Sequence, residues 1–298
     1  MSVIKYGASP IAWTNDDLPS LGGDTPLESC LADIRDVGFD GVELGGKFPR
    51  RADQLAPILK QYDLELVGGW YSSNLLTRSV EDEIEALQDH LVLLKAMKCS
   101  VFIVAETSNA IHGDRDEPMR DQPTLGGEDW RMFCERMSAL GDYLDGEGLR
   151  LAYHHHLGTS VEKKPDIDKF LALTNDNVGL TLDVGHAAGG GVDAAEIIAE
   201  YPSRIVHVHC KDIRRSVFDS VRDSGSSFLD GVLEGMFTVP GDGDVDFKPV
   251  FQALKQIGYE GWIIVEAEQD PAKAPPKEYA LKGLDTLKQL SAGAGLGA

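Results

Sequence analysis

Three consecutive histidines, residues 154–156, end a short apolar segment near the middle of the chain. The segment LRLAYHHHL, residues 149–157, is typical of a β-strand, along which side chains alternate between two faces. We therefore expect His154 and His156 to share one face and His155 to lie on the other. A divalent cation is the usual reason for placing imidazoles side by side, although a lone run of histidines is as often a solvated loop.

Three later apolar segments also end in residues that commonly bind metal ions. LTLDVGH contains Asp183 and His186, IVHVHCKD contains His207, His209 and Asp212, and WIIVEAE contains Glu266 and Glu268. A lone Asp or His at the end of a strand is more often a helix cap or a core residue. Corresponding positions on four consecutive segments instead favour one shared metal site, formed by His154 and His156, then Asp183, His209 and Glu266. Mixed imidazole and carboxylate ligands suit Mn²⁺, Co²⁺, Fe²⁺ or Zn²⁺.

Short apolar segments alternate with longer amphipathic ones along the whole chain, and this alternation defines the expected elements. Strands are predicted at residues 4–9, 39–45, 64–70, 100–106, 149–156, 178–186, 204–212 and 261–268. Helices are predicted at residues 25–37, 52–61, 80–98, 128–147, 165–174, 192–200, 247–257 and 276–290. The first of these helices has Thr25 as its cap, Pro26 at its first position and Glu28 completing a capping box.

Eight strand–helix units without an intervening linker predict an α/β protein, a single (β/α)8 barrel over residues 1–298. The tail, residues 291–298, is expected to fray. A doubly wound open sheet is the competing architecture, but it normally carries a glycine-rich phosphate turn after an early strand. Gly189, Gly190 and Gly191 lack that spacing and indicate a flexible loop.

Two connections, residues 107–127 and 213–245, are much longer than ordinary βα loops of about 2–6 residues. Both follow predicted strands, so both should lie on the C-terminal face, where barrel enzymes build their active sites. They are candidate lids over the metal site. The alternative is that they form contacts between the subunits of a homo-oligomer.

Acidic and aromatic residues are expected at the ends of the earlier strands. Glu43 and Glu106 end the second and fourth strands, while Trp13 and Trp70 follow the first and end the third. Carboxylates can bond hydroxyl groups and indole faces can cover C–H surfaces, so this composition suits a small polyhydroxylated ring. Ordinary packing at the top of the barrel is an equally good interpretation of the two tryptophans.

The bulk composition limits the kinds of partner. The 298 residues carry a net charge of −21, which argues against nucleic acid or an anionic membrane as a partner. Four scattered cysteines without a CxxC pair are expected to be core thiols in a reducing compartment, and Cys210 should face away from the site if His209 faces in. With no apolar segment resembling a signal peptide or a membrane span, we expect a cytoplasmic protein.

Longer sequence strings resemble a known family. LDVGH, HVHCKD and WIIVEAE resemble the xylose-isomerase-like barrel superfamily, which includes sugar isomerases, epimerases, dehydratases and endonuclease IV. GFDGVELGGKFPR, VAETSNAIHGDRD and YHHHLGT are similar to the inosose dehydratases within it, and this resemblance extends from about Gly7 to Leu290. The strings are long and specific, and they cover nearly the whole chain.

The resemblance implies a ligand set of Glu, Asp, His and Glu on successive strands. The last three ligands correspond to Asp183, His209 and Glu266, whereas the first falls on His154, where this sequence replaces the family's carboxylate. His154, His156 or Glu162 therefore remains a candidate for the first ligand. The resemblance also implies Mn²⁺ or Co²⁺ as the cofactor and an involvement of glutathione.

The reaction that the resemblance implies is the dehydration of 2-keto-myo-inositol to a trihydroxycyclohexane-1,2-dione. A divalent cation at the ketone would stabilise the enediolate that forms when the α-proton leaves, and a general acid would assist loss of the β-hydroxyl. Glu266 is the candidate base, and His186, His156 or Lys211 is the candidate acid. The main alternative is a sugar isomerase or epimerase. An endonuclease conflicts with the net charge, and a binding protein does not need an open metal site.

Overall fold

The computed structural model describes residues 4–297, and its central feature is a closed barrel of eight parallel strands. The described residues contain ten strands, of which all but β8 and β9 belong to the barrel. They are β1 Ile4–Ala8, β2 Gly41–Leu44, β3 Glu65–Ser73, β4 Val101–Glu106, β5 Arg150–His154, β6 Val178–Asp183, β7 Ile205–Cys210, β8 Asp212–Ile213, β9 Phe237–Thr238 and β10 Gly261–Val265. The order around the barrel is β1-β10-β7-β6-β5-β4-β3-β2, and β8 pairs with β9 in a separate antiparallel sheet. The predicted (β/α)8 barrel is confirmed.

The helices follow the strands around the outside of the barrel. They are α1 Leu27–Val37, α2 Ala52–Gln61, α3 Val80–Ala86, α4 Gln88–Ala96, α5 Gly127–Gly146, α6 Lys164–Leu173, α7 Val184–Gly189, α8 Ala194–Glu200, α9 Arg215–Ser224, α10 Phe228–Glu234, α11 Lys248–Gln256 and α12 Pro276–Ala294. Side-chain caps begin several of them, since Ser79, Asp193 and Ser227 accept hydrogen bonds from the first turns of α3, α8 and α10. These caps satisfy N–H groups that would otherwise lack partners.

Three local predictions were wrong. Helix α1 begins at Leu27 with Pro26 as its N-cap, and proline offers no side-chain acceptor, so the predicted capping box is not formed. The helix predicted over residues 80–98 is divided at Leu87 into α3 and α4. The glycines after the sixth strand are not a flexible loop, because Gly189 ends α7, and a side chain there would meet Leu157 and Phe218.

The C-terminal tail is also ordered, in contrast to the predicted fraying. Helix α12 continues to Ala294, and Ser291 accepts a 2.7 Å hydrogen bond from the Tyr6 hydroxyl on β1. Leu296 is only 6% exposed and packs into the main core, so burial of an apolar side chain holds this segment in place. Ala298 lies outside the described residues.

The two long connections form what we call the cap, residues 107–126 and 213–245. Its second part contains α9, α10 and β9, although no helix or strand was predicted there. The Met119 amide donates a 3.0 Å hydrogen bond to the Ser226 carbonyl, and Arg115 pairs with Asp230. Met119, Phe218, Phe228 and Phe237 of the cap also pack with Leu157 in an apolar cluster that is separate from the main core.

The strand register brings the ends of β6, β7 and β10 level with one another. Asp183 pairs with His209 across β6 and β7, and His209 pairs with Ile264 on β10, two residues before Glu266. The cysteines are free and buried, as expected, and Cys210 packs into the core. Within residues 4–297, no helix combines the length and apolar character needed to cross a membrane.

Candidate active site

Four side chains from consecutive barrel strands meet at the C-terminal mouth and form what we call the four-donor cluster. His154, Asp183, His209 and Glu266 are all buried, and one ligand atom from each lies within 4.8 Å of the others. His154 Nε2 is 3.2 Å from His209 Nδ1, and Asp183 Oδ2 is 3.7 Å from both nitrogens. Glu266 Oε2 contacts His209 Nδ1 directly. The structure thus brings the four predicted metal ligands together.

Asp183 shows that this cluster fits a cation. Its Oδ1 accepts a 2.7 Å hydrogen bond from the His186 amide and caps α7, while Oδ2 is buried without a hydrogen-bond partner among the described residues. An unpartnered carboxylate oxygen in the interior is costly and is usually satisfied by an ion or water. Imidazole and carboxylate donors around that oxygen match the preferences of a borderline divalent metal.

The other two members of the histidine run have different surroundings. His155 turns away from the cluster, and its Nε2 accepts a 3.2 Å hydrogen bond from the Asp183 amide, so it helps to position the strand end. His156 Nδ1 lies 2.7 Å from the Leu157 carbonyl, which assigns the ring proton to Nδ1 and leaves Nε2 as an acceptor. The predicted alternation of faces is seen, since His154 and His156 both line the cavity described below.

Glu43 lies on the far side of His209 from the cluster. Its Oε1 is 2.9 Å from Nε2 of both His207 and His209, so each imidazole donates to the same carboxylate oxygen. Burial alone would raise the pKa of Glu43, but the charge and hydrogen bonds of His209 and His207 outweigh burial and lower this pKa to about 2. Glu43, predicted to bind substrate, therefore fixes the orientation of His209, a predicted metal ligand.

Protonation within the cluster is uneven. Burial opposes the charged form of His209, but the carboxylates of Glu43 and Glu266 outweigh it and raise the pKa of His209 well above its ordinary value. Burial and the neighbouring His209 hold the pKa of His154 well below its ordinary value. Without a metal, one proton is thus held where the four donors meet, and a cation bound there would displace it.

Lys211 and three carboxylates form a network behind the cluster. The ammonium lies 2.7 Å from Glu268 Oε2, 3.0 Å from Glu266 Oε1 and 3.6 Å from Asp183 Oδ2, and it is also 2.9 Å from His186 Nε2. Burial opposes the charged amine, but the three carboxylates outweigh it and raise the pKa of Lys211. Burial and the charge of Glu266 both raise the pKa of Glu268, whereas the charge of Lys211 lowers it. The raising effects are larger, so the pKa of Glu268 is about 7.

A cavity of about 210 Å³ opens onto the cluster. This is smaller than the roughly 300–1,000 Å³ of pockets for drug-sized ligands, so it suits a small molecule. Its wall contains acidic, basic and aromatic side chains, among them Asp16, Asp17, Glu43, Arg50, Trp70, His112, His154, His156, His209, Glu266 and Glu268. The two other candidate acids, His186 and Lys211, are completely buried and lie behind this wall.

The predicted substrate-binding residues divide into two groups. Trp70 lines the cavity, is 37% exposed, and lies edge-on to His154 with 5.2 Å between ring centroids. Trp13 instead packs into the core and donates its indole N–H to Asp33 at 3.1 Å. Glu106 is 1% exposed and accepts hydrogen bonds from Ser73, Leu75 and Ser108, so its carboxylate ties loops together away from the cavity.

Several wall residues were not predicted from the sequence. His112 comes from the first part of the cap, with 4.7 Å between its ring centroid and that of His156. Its position in a long connection that follows a strand was the available signal. Arg50 and Asp16 lie in loops after β2 and β1, where the pattern of apolar residues carries no information on direction. Glu162, a candidate first ligand, accepts a 2.7 Å hydrogen bond from the Gly158 amide, apart from the four-donor cluster.

A (β/α)8 barrel with histidine and carboxylate donors gathered at its C-terminal mouth belongs with the barrel enzymes that build their active sites at this face, and its donors could hold a metal ion. The chain belongs to the xylose isomerase-like TIM barrel family, whose model matches residues 31–290.

Several curated proteins are similar to this chain over nearly their full length. The chain is 44% identical to the rhizopine catabolism protein MocC of Rhizobium meliloti over 98% of this chain and 90% of that protein. It is 42% identical to an inosose dehydratase of Clostridium perfringens, covering 97% of this chain and 98% of that one. The resemblance to the inosose dehydratases predicted from the sequence is confirmed.

Solved structures with the same fold are more distant in sequence. An L-ribulose 3-epimerase has a TM-score of 0.69 at 17% identity, with 98% of this chain and 96% of that chain covered. The probable 3-DHS dehydratase AsbF of Bacillus anthracis has a TM-score of 0.68 at 16% identity, covering 95% and 98%. At these identities the similarity shows the fold alone.

Proposed function

We propose that this protein is a hydro-lyase that removes water from an inosose, a six-membered keto-cyclitol such as 2-keto-myo-inositol. Relatives that carry the name inosose dehydratase are about 40% identical over nearly the full chain. The structural observation that carries the proposal is the four-donor cluster. In it Asp183 Oδ2, which has no hydrogen-bond partner among the described residues, faces His154 and His209, and these two imidazoles line a small cavity.

His154, Asp183, His209 and Glu266 are the residues that would hold the metal. When bound, a divalent cation supplies positive charge that stabilises the oxyanion of an enolised ketone. Mn²⁺ or Co²⁺ is the ion we propose, because mixed nitrogen and oxygen donors suit borderline cations better than Mg²⁺. The family resemblance extends the proposal to glutathione, which turnover with and without the thiol tests.

His156 and Glu268 are the groups that we assign to proton transfer. Both line the cavity, and the Nε2 acceptor of His156 is the atom that takes the proton from the carbon beside the ketone. Glu268 then protonates the departing β-hydroxyl, so that one proton and one hydroxide leave the substrate as water. Glu266 was the predicted base, but its two oxygens contact His209 and Lys211, which makes it better placed to hold a metal.

His186 and Lys211 connect the two proton-transfer groups. The ring centroids of His156 and His186 are 3.7 Å apart. The Lys211 ammonium lies 2.9 Å from His186 Nε2 and 2.7 Å from Glu268 Oε2. After each turnover His156 holds an extra proton and Glu268 lacks one. Because both groups line the cavity, solvent there takes the extra proton from His156 and returns one to Glu268, while His186 and Lys211 hold the two groups in position.

The substrate ring is proposed to lie against Trp70. The exposed part of the indole faces the cavity, and its edge contacts the rings of His154 and His156 at 5.2 Å and 5.7 Å between centroids. An aromatic wall opposite charged groups suits a ring that has C–H faces and hydroxyl edges. Arg50 and Asp17, elsewhere on the wall, are placed to bond hydroxyl groups.

Incubation of the metal-loaded protein with 2-keto-myo-inositol tests this function. We expect an enol absorbance to appear together with a product lighter than the substrate by one water. The same protein after chelation and the Asp183→Asn variant serve as controls. The chelated protein should form no product, and the variant should form it about 10²-fold or more slowly. A product with the mass of the substrate would instead identify an isomerase or epimerase, and an unchanged substrate would contradict the proposal.

A further inference from the structure

The groups around the Lys211 ammonium resemble the ligands of a metal ion more than the usual partners of a buried lysine. The side chain is completely buried, and its ammonium has three acidic neighbours, Glu268, Glu266 and Asp183, at 2.7, 3.0 and 3.6 Å. The fourth neighbour is an imidazole nitrogen, His186 Nε2 at 2.9 Å. One carboxylate is enough to pair a buried lysine, whereas several carboxylates and an imidazole around one positive charge are typical of a divalent cation site.

A second set of metal-type donors lies at this position. One ligand atom each from His156, His186 and Glu268 lies within 4.8 Å of the others, and the three side chains are buried. None of these three residues belongs to the four-donor cluster.

Glu266 links the two sets of donors. Its Oε2 contacts His209 in the four-donor cluster, while its Oε1 faces the Lys211 ammonium at 3.0 Å. A carboxylate shared between two cationic positions is how enzymes hold two metal ions about 3.5–4 Å apart.

We propose that His156, His186 and Glu268 form a second cation site beside the four-donor cluster, and that the Lys211 ammonium fills it in place of a second metal ion. This inference rests on the proposed metal centre. Lys211 is a positioning residue, since it lies behind the cavity wall. Its positive charge excludes a second metal ion, so the protein binds only one. His156 and Glu268 therefore stay available for proton transfer.

Mn²⁺ binding to the full-length protein and three variants tests the proposal. Lys211→Ala removes the charge and opens the space, whereas Lys211→Met removes the charge but still fills the space. Lys211→Ala combined with Glu268→Gln opens the space and also weakens the second site. The readouts are bound Mn²⁺ per chain, from equilibrium dialysis, and the electron paramagnetic resonance spectrum, in which two ions about 3.5–4 Å apart are magnetically coupled.

We expect one Mn²⁺ in the wild type, in Lys211→Met and in the double variant, each with the spectrum of an isolated ion. Lys211→Ala should bind two ions and show the coupled spectrum, and Mn²⁺ should raise its Tm by more than that of the wild type. None of these readouts depends on turnover.

Three results would overturn the inference: two ions in the wild type, one ion in folded Lys211→Ala, or a Lys211→Ala protein that stays unfolded even with Mn²⁺. The last counts against it because the second ion should restore the lost charge. A wild type that binds no ion would instead overturn the metal centre on which the proposed function rests.

Discussion

Glu43 Oε1 accepts a 2.9 Å hydrogen bond from His209 Nε2, on the side of the imidazole that faces away from the four-donor cluster. This contact assigns the Nε2 proton to the side of Glu43 and leaves Nδ1 directed at the four-donor cluster, in contact with Glu266. A carboxylate that orients a ligand histidine in this way also makes the imidazole a stronger donor. Glu43 comes from β2, which is separated from β7 by β1 and β10, so strands that are not neighbours contribute to the orientation of one predicted ligand.

Glu43→Gln should weaken metal binding by about 10–100-fold, because the amide cannot accept two charged hydrogen bonds as the carboxylate does. Calorimetric titration with Mn²⁺ measures the change in Kd. Glu106→Gln is the matched control, since Glu106 is also a buried carboxylate at a strand end but lies outside the cavity. Equal metal affinity in the wild type and Glu43→Gln would contradict the assigned role.

Asp183→Asn should abolish most metal binding and lower turnover by about 10²-fold or more, because the metal charge stabilises the enolised intermediate. The asparagine side-chain oxygen can still accept from the His186 amide, so the cap on α7 is kept and the fold should persist. Circular dichroism checks the fold, and elemental analysis checks the metal. A variant that retains a full complement of metal would refute the ligand assignment.

Chelation should inactivate the protein, and Mn²⁺ or Co²⁺ should restore it better than Mg²⁺. Because the raised pKa of His209 keeps a proton at the cluster, metal binding near neutral pH should release about one proton. Binding enthalpies measured in buffers of different ionisation enthalpy report that number. Full activity in excess chelator, in protein free of metal, would exclude the proposed centre.

Glu162 should make the protein less stable as pH rises. Burial raises its pKa from 4.5 to about 7, so between these values the folded protein binds this proton more tightly than the unfolded chain. The stabilisation is therefore complete below about pH 4.5 and is lost as pH rises through about 7. Glu162→Gln should raise the free energy of unfolding by roughly 2 kcal/mol at pH 8 and change it little at pH 5.

Urea unfolding at both pH values measures this difference. Glu85→Gln, which changes an exposed carboxylate on α3, is the control and should have similar effects at the two pH values. If Glu162→Gln shifts stability equally at pH 5 and pH 8, the Glu162 carboxyl does not titrate as described.

The barrel and the four donors were predictable because both depend on repeated local patterns. Short apolar segments separated by amphipathic ones specify the strands, and the end of a parallel strand fixes which mouth a side chain reaches. Asp183, His209 and Glu266 lie at such ends, within or directly beside a strand, so alternation gave their direction.

Residues in loops, and Glu106 at the end of a strand, were not predictable in this way. Trp13 and Glu106 were expected at the mouth, yet Trp13 packs into the core. Glu106, the last residue of β4, accepts hydrogen bonds from nearby amides and hydroxyls. His112 and Arg50 reach the cavity from loops whose paths depend on tertiary packing. The helices of the cap were missed because their apolar faces pack on one another, away from the barrel core.

The two proton-transfer steps should be separable by substituting His156 and Glu268 one at a time. His156→Gln removes the acceptor for the α-proton, so the variant should neither exchange that proton with deuterated solvent nor form the dione. Glu268→Gln leaves the acceptor but removes the acid, so 2-keto-myo-inositol should still exchange its α-proton while elimination falls by about 10²-fold or more.

Both variants keep the four donors and should bind one metal ion. Mass spectrometry of substrate recovered from deuterated buffer measures the exchange, and elemental analysis measures the metal. If His156→Gln still exchanges, or if Glu268→Gln stops exchange together with elimination, the base and the acid have been assigned to the wrong residues.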